Sequence, residues 1–194
     1  MKSQATMCVE LLPPVIPPRA TSAEALWDRE DRTALLHIQR ALDSGSLLLG
    51  RPPEGCAFRV WPSDRDCDEA ASLVAEEPWN RGRTSSAALA QGVRGALAWV
   101  GVRYGRRLVA TAQAVGDGQR IAWVQNVCVH REHRGLGYGR AVVQALLAHP
   151  AVRCVDVCLS TATAEGFYQK LGFVTSLAAT LRAPAMMILR RRVT

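Results

Sequence analysis

Three glycines at alternate positions, Gly135, Gly137 and Gly139, separate an apolar, strand-like run ending at Val129 from an apolar, helix-like run beginning at Tyr138. No other stretch restricts the chemistry of the chain so much. A helix N-terminus carries backbone N–H groups without intrahelical partners and the positive end of the helix dipole, so it receives phosphate well. Glycine there removes the Cβ that would hold a phosphate away from those amides. Two other phosphate loops do not fit. A P-loop requires Gly-Lys-Ser/Thr, and Gly139 is followed by Arg140 and Ala141. A dinucleotide fingerprint requires G-x-G-x-x-G after an early strand, and the spacing here is G-x-G-x-G, late in the chain. On these residues alone, a flexible loop with helix-start glycines stays open as the alternative.

Around the loop, periodicity predicts alternating strands and helices. Residues 57–61 read as a short strand. Ser63 can cap a helix running to about residues 74–77, and Thr84 or Ser85 can start a second. Residues 97–103 and 108–115 read as strands joined at Tyr104-Gly105-Arg106, and Gly116-Asp117-Gly118 turns the chain into a third strand over 121–129. A helix over 138–148 follows, closed by Pro150. An almost wholly apolar, and so central, strand is expected over 152–159, then a short helix over 164–171 and strands over 173–177 and 186–189. This order predicts a mixed α/β sheet with helices on both faces.

Ahead of it, residues 1–20 are Pro-rich and read as an extended arm. Thr21 and Glu24 have capping-box spacing before a helix with Leu35, Ile38 and Leu42 on one face, and residues 50–55 read as a linker. The expected division is an N-terminal extension over 1–55 and a main domain over 56–194.

Charge and cysteine usage narrow the partners. The net charge of the 194-residue chain is +7, and only Lys2 and Lys170 are lysines. The charge suits a nucleic acid or a small polyanionic ligand alike, but the arginines are scattered, apart from Arg190-Arg191-Arg192, which reads as a solvated basic surface rather than a nucleic-acid footprint. The six cysteines show no C-x-x-C pair and no ligand spacing with the histidines, so no metal is expected. Cys128, Cys154 and Cys158 fall in apolar runs and read as buried thiols of a reducing compartment, the cytoplasm first, with a nuclear or organellar location left open by the sparse acidic residues before Glu24. Pro13, Pro14, Pro17 and Pro18 break the N-terminal apolar stretch, which argues against a signal peptide, and the apolar runs are too short for a membrane span.

The segment from Val127 to Arg140 closely resembles motif A of the GNAT acetyltransferase superfamily, whose core R/Q-x-x-G-x-G/A is met by Arg134, Gly137 and Gly139. A second block from Ala164 to Phe173 resembles motif B, A-x-x-F-Y-x-K-L-G-F, through Phe167, Tyr168, Lys170, Leu171, Gly172 and Phe173. The resemblance covers about 140 residues from Ala57 onward, without the extension. It implies the GNAT fold: a mixed, mostly antiparallel central sheet of about six or seven strands flanked by about four helices, with the N-terminal helical extension added.

The resemblance also implies an acyltransferase that uses acetyl-CoA as acetyl donor. Its pantetheine arm would run along Val127, Cys128 and Val129, and its pyrophosphate would lie on the amides of Arg134, Gly135, Leu136, Gly137, Tyr138, Gly139 and Arg140. The Val127 N–H would face the thioester carbonyl, and Tyr168 would protonate the departing thiolate. Thr161 stands where relatives often carry a pantetheine-binding asparagine, a departure. Relatives project bases or water-holding residues from the positions of Trp123 and Gln125. Simple alternation places these two with Val127 and Val129 and turns Asn126 and Cys128 away. Neither Trp nor Gln is a base, so Gln125 is expected to position a water. His130 and His133 are read as surface or phosphate-facing, and Cys128 as packing rather than nucleophile.

In such proteins the acceptor pocket draws on the loop between the first two helices, here with Trp79, Asn80, Arg81 and Arg83, and on a last loop with Leu177, Ala178, Ala179, Thr180 and Leu181. Trp79, Arg81, Trp123 and Gln125 are the expected acceptor-binding residues. A small-molecule primary amine is the favoured acceptor; a protein lysine or N-terminus, or a non-catalytic acetyl-CoA-binding module, are the alternatives. A homodimer is left open.

Overall fold

The computed structural model describes residues 55–175 and 185–189, with Thr33, Leu36, His37, Gln39 and Arg40 helical in the extension. The Pro-rich arm, the linker before residue 55, the apolar face of Leu35, Ile38 and Leu42, and the last loop around Leu177 lie outside the described residues.

The elements are β1 (Cys56–Arg59), α1 (Asp64–Ala75), α2 (Ser86–Arg94), β2 (Ala98–Tyr104), β3 (Arg107–Gly116), β4 (Ile121–Val129), α3 (Tyr138–Ala148), β5 (Asp156–Thr161), α4 (Glu165–Gln169), β6 (Val174–Thr175) and β7 (Ala185–Leu189). The seven strands form one sheet in the order β1-β2-β3-β4-β5-β7-β6. All pairs are antiparallel except β4 with β5. The expected α/β fold is thus present. No helix among the described residues is long and apolar enough to cross a membrane.

Local chemistry sets the helix starts. Ser63 caps α1 in a capping box: its side chain accepts from the Asp66 amide, and the Asp66 carboxylate accepts from the Ser63 amide at 3.0 Å. Ser85 caps α2 through the Ala88 amide at 3.3 Å.

Two cores lie against the sheet. Cys67, Leu73, Val74, Leu89 and Val93 of α1 and α2 pack on Trp99, Leu108 and Cys128. Val142, Val143 and Leu146 of α3 pack on Val100, Val102, Ala112, Ala122 and Val124. A polar clamp ties α1 to the β2–β3 hairpin. Arg103, its side chain 10% exposed, pairs with Asp66 and, at 3.0 Å, with Glu69. Glu69 also accepts from the Leu108 amide at 2.7 Å.

One strand departs from the sequence reading. β5 starts at Asp156, not at residue 152. Val152 and Val155 are buried, yet they sit in turns after α3. Their apolarity reflects packing of those turns into the α3-side core, which periodicity cannot tell from a buried strand. Cys154, in the same turns, is exposed, contrary to its reading as a buried thiol.

Candidate functional site

β4 is the axis of the site, and it is irregular. Thr111 on β3 faces Cys128, whereas Gln113 faces Gln125. β4 therefore spends three steps where β3 spends two, and Asn126 sits at the bulge with φ of 52°. A bulge of this kind bends its strand and re-aims the side chains beyond it. The alternation expected for an unbroken strand is corrected accordingly. Trp123, Gln125 and Cys128 share the α1/α2 face, and Val129, opposite Ala110, lies on the α3 face.

β4 also parts from β5 just before the bulge. Their parallel register covers only Ile121 with Asp156, Ala122 with Val157 and Trp123 with Cys158. Beyond it both strands continue, β4 to Val129 and β5 to Thr161, without pairing each other. Asn126 and Val127 fall outside the paired register on both sides. The resulting gap can admit an extended ligand that bonds to strand backbone.

At the end of β4 a single 3₁₀ turn, Arg131–His133, leads into the glycine loop. Gly135 and Gly137 have φ of 79° and 87°, a left-handed backbone that favours glycine. Gly137 is the N-cap of α3, so no side chain caps this helix, and no acidic residue stands in its first turn. Ala141 N–H is the first to bond within the helix, to Gly137 O at 3.0 Å. The amides of Tyr138, Gly139 and Arg140 precede it, and Arg140 Nε is buried without a partner among the described residues. Bare first-turn amides at a glycine-capped helix start fit an anionic phosphate.

Gly139 serves differently: a Cβ there would meet Val129 Cγ2 at 3.5 Å and Phe167 Cζ at 3.9 Å, so its place is close packing between α3, β4 and α4. Leu136 is 58% exposed at the loop tip. The Tyr138 side chain turns inward, with its hydroxyl 2.8 Å from Cys56 Sγ, leaving only its backbone toward the loop.

Tyr168 on α4 is buried, edge-on to Phe167 and Phe173. Burial pushes its hydroxyl up to about 12, so the phenol keeps its proton at neutral pH. Thr161, at the end of β5, accepts the Ala164 amide at 3.1 Å and thereby helps start α4. Gln125 is exposed and Trp123 half-buried.

Cys128 is buried; its thiol donates to Leu73 O and Glu77 Oε1, each at 3.4 Å, and burial first, then the Glu77 carboxylate, push it up to about 12. A thiol so held protonated is a poor nucleophile, as its reading for packing requires. His130 is not at the surface: it is 7% exposed, with Nδ1 lacking a hydrogen bond among the described residues and 3.8 Å from Glu132. His133 packs between Tyr104 and Tyr138, with ring centroids 5.5 and 6.1 Å away.

The loop after α1 carries Trp79, 48% exposed, exposed Arg81, and buried Asn80, whose amide donates to Thr84 O at 3.3 Å. Sequence reasoning missed Glu77, which accepts a hydrogen bond from Arg134 across 57 residues of chain. No local pattern signals a contact of that separation.

Comparisons with known proteins bear on this architecture. The acetyltransferase (GNAT) domain family matches residues 95–175. GCN5-related N-acetyltransferase 1, chloroplastic, from Arabidopsis thaliana is 32% identical over 136 residues, which is 69% of this chain; the chain spans 64% of the length of that relative. Among solved structures, a protein assigned to the GNAT family from Xanthomonas campestris superposes with a TM-score of 0.57 at 25% identity, over 69% of this chain and 94% of its own. N-acetylglutamate synthase from Neisseria gonorrhoeae, solved with coenzyme A and L-arginine, gives a TM-score of 0.55 at 13% identity, over 70% of this chain and 33% of its own. At that identity the likeness speaks for the fold alone.

Proposed function

Because the chain belongs to the GNAT acetyltransferase family, we propose that residues 56–194 transfer an acetyl group from acetyl-CoA directly to a primary amine of a small molecule. The observation that carries this reading is the bare, glycine-capped first turn of α3 at the end of a strand that has parted from β5. When bound, acetyl-CoA supplies an activated thioester and a thiolate leaving group.

The residues divide that work. The amides from Arg134 to Arg140 hold the phosphates. Val127, outside the paired register, offers its N–H to the carbonyl oxygen that gains charge during transfer. The backbone of Val127, Cys128 and Val129 lines the pantetheine path, and Thr161 keeps a hydroxyl hydrogen free to donate toward it after accepting the Ala164 amide. The protonated Tyr168 donates to the leaving sulfur. An amine is protonated at neutral pH and must lose a proton before it attacks. Gln125, exposed on the acceptor side, holds a water that starts the proton's exit. Trp79, Arg81 and Trp123 receive the body of the acceptor, the arginine suiting a carboxylate or phosphate on it. The thiols of Cys56, Cys67, Cys128, Cys154 and Cys158, in no disulfide among the described residues, suit a reducing, cytoplasmic setting.

The test is thiol release from acetyl-CoA with a panel of phenethylamine, glucosamine, glutamate and a lysine peptide. Tyr168→Phe should lower turnover about 100-fold at unchanged CoA affinity, the low end of general-acid contributions. Silence with every amine despite tight CoA binding would leave a binding module in place of an enzyme.

A further inference from the structure

The glycine loop and the loop after α1 are tied by an ion pair that the division of labour above does not use. Glu77 stands in the turns after α1, and Arg134 opens the glycine loop. An Arg134 Nη2 hydrogen bonds the Glu77 carboxylate, and Nε donates to Val129 O at 2.9 Å. The Arg134 side chain is 55% exposed and that of Glu77 15%. Beside the pair lies a cleft of about 320 Å³, lined in part by Glu76, Glu77, Cys128, His130, Arg131 and Arg134. His130 is nearly covered, and its Nδ1 has no hydrogen bond among the described residues.

We propose that Glu77 and Arg134 form an exchange pair: the donor's phosphate draws the Arg134 guanidinium off Glu77, and the released carboxylate receives the ammonium of the acceptor. The proposal rests on the acetyl-CoA reading above. An ion pair with a half-exposed arginine is weak, because water screens it and two long side chains must be held in place. A phosphate offers the same guanidinium two charged oxygens at once.

After the exchange Glu77 keeps the Cys128 thiol as a donor but has lost its cation. The released Glu77 carboxylate, its side chain 15% exposed, can then receive another cation in the same cleft. An amine acceptor, which reaches the protein as ammonium, is such a cation, and Glu76 lines the same cleft.

Calorimetric titration of CoA into the wild-type chain, Glu77→Gln, Arg134→Gln and the double variant tests the exchange. Removing the competitor should tighten CoA about fivefold in Glu77→Gln, the upper worth of an exposed pair. Arg134→Gln should weaken CoA, and the Glu77→Gln gain should vanish in the double variant. Glu76→Gln removes the same charge from the same cleft and should change the affinity less than twofold. In turnover with the fastest amine of the panel, Glu77→Gln should raise the amine KM while lowering that of acetyl-CoA, an opposition that a purely structural role does not produce. A gain that persists without Arg134, a gain matched by Glu76→Gln, or an unchanged amine KM overturns the exchange. Absence of CoA binding in the wild type removes the acetyl-CoA reading itself, and the exchange with it.

Discussion

Gln125 and Cys128, three residues apart on β4, face the same side of the sheet. In an unbroken strand that spacing puts two side chains on opposite sides. The extra residue at Asn126 reverses the alternation and interrupts the pairing with β3, just beyond the point where β4 has already parted from β5.

The bulge depends on a left-handed residue. Asn126, at φ of 52°, belongs to the types that tolerate this conformation, and a β-branched residue does not. Asn126→Val should cost about 1–2 kcal/mol in urea unfolding and weaken CoA binding, whereas Asn126→Gly should keep both near wild type. Equal stability of the two variants would mean that the bulge does not need this backbone.

The loop glycines should separate by their roles. Gly137→Ala places a Cβ at φ of 87°, where space is open but the backbone is strained, and should cost about 1–2 kcal/mol. Gly139→Ala lies in the first turn of α3 at ordinary contact distance from Val129 and should be neutral or stabilising by about 0.5 kcal/mol. Urea midpoints of the two variants, compared at equal slope, check the contrast.

Arg103→Met should leave Asp66 and Glu69 without their shared cation and destabilise the domain by about 3 kcal/mol. The clamp joins α1 to the β2–β3 hairpin and has no part in the glycine loop. Thermal unfolding should therefore shift while the CoA affinity of the folded fraction stays within twofold.

His149, 1% exposed at the end of α3, is pushed down to about 4 by burial, and its Nδ1 accepts the Ala151 amide at 3.3 Å. The folded state prefers the neutral ring, so the unfolded chain binds the extra proton between about pH 6.5 and 4. Stability is full above that window and falls as pH drops through it, by about 3 kcal/mol in total. His149→Leu should flatten the decline between about pH 6.5 and 5.5, above the range where ordinary carboxylates protonate. An unchanged slope in equilibrium unfolding would assign the loss to other groups.

Much of the fold was legible because its signals are local. Ser63 and Ser85 announce their helices through side chains that bond amides three residues on. β4 and α3 have the bounds that periodicity predicts. The start of β5 was not legible, since Val152 and Val155 are apolar for the sake of turns packed on α3.

By itself, the sequence determined the order of strands and helices, the glycine-capped start of α3 and the placing of Tyr168 on a short helix after β5, all consequences of spacing along the chain. Tertiary structure alone decided which way β4 aims its side chains, that the Tyr138 ring turns to Cys56, that His130 is buried, and that Arg134 reaches Glu77. These depend on a one-residue mismatch between β3 and β4 and on contacts between distant segments. Such features follow from how neighbouring strands pair and how the core closes, and no local pattern of residues encodes them.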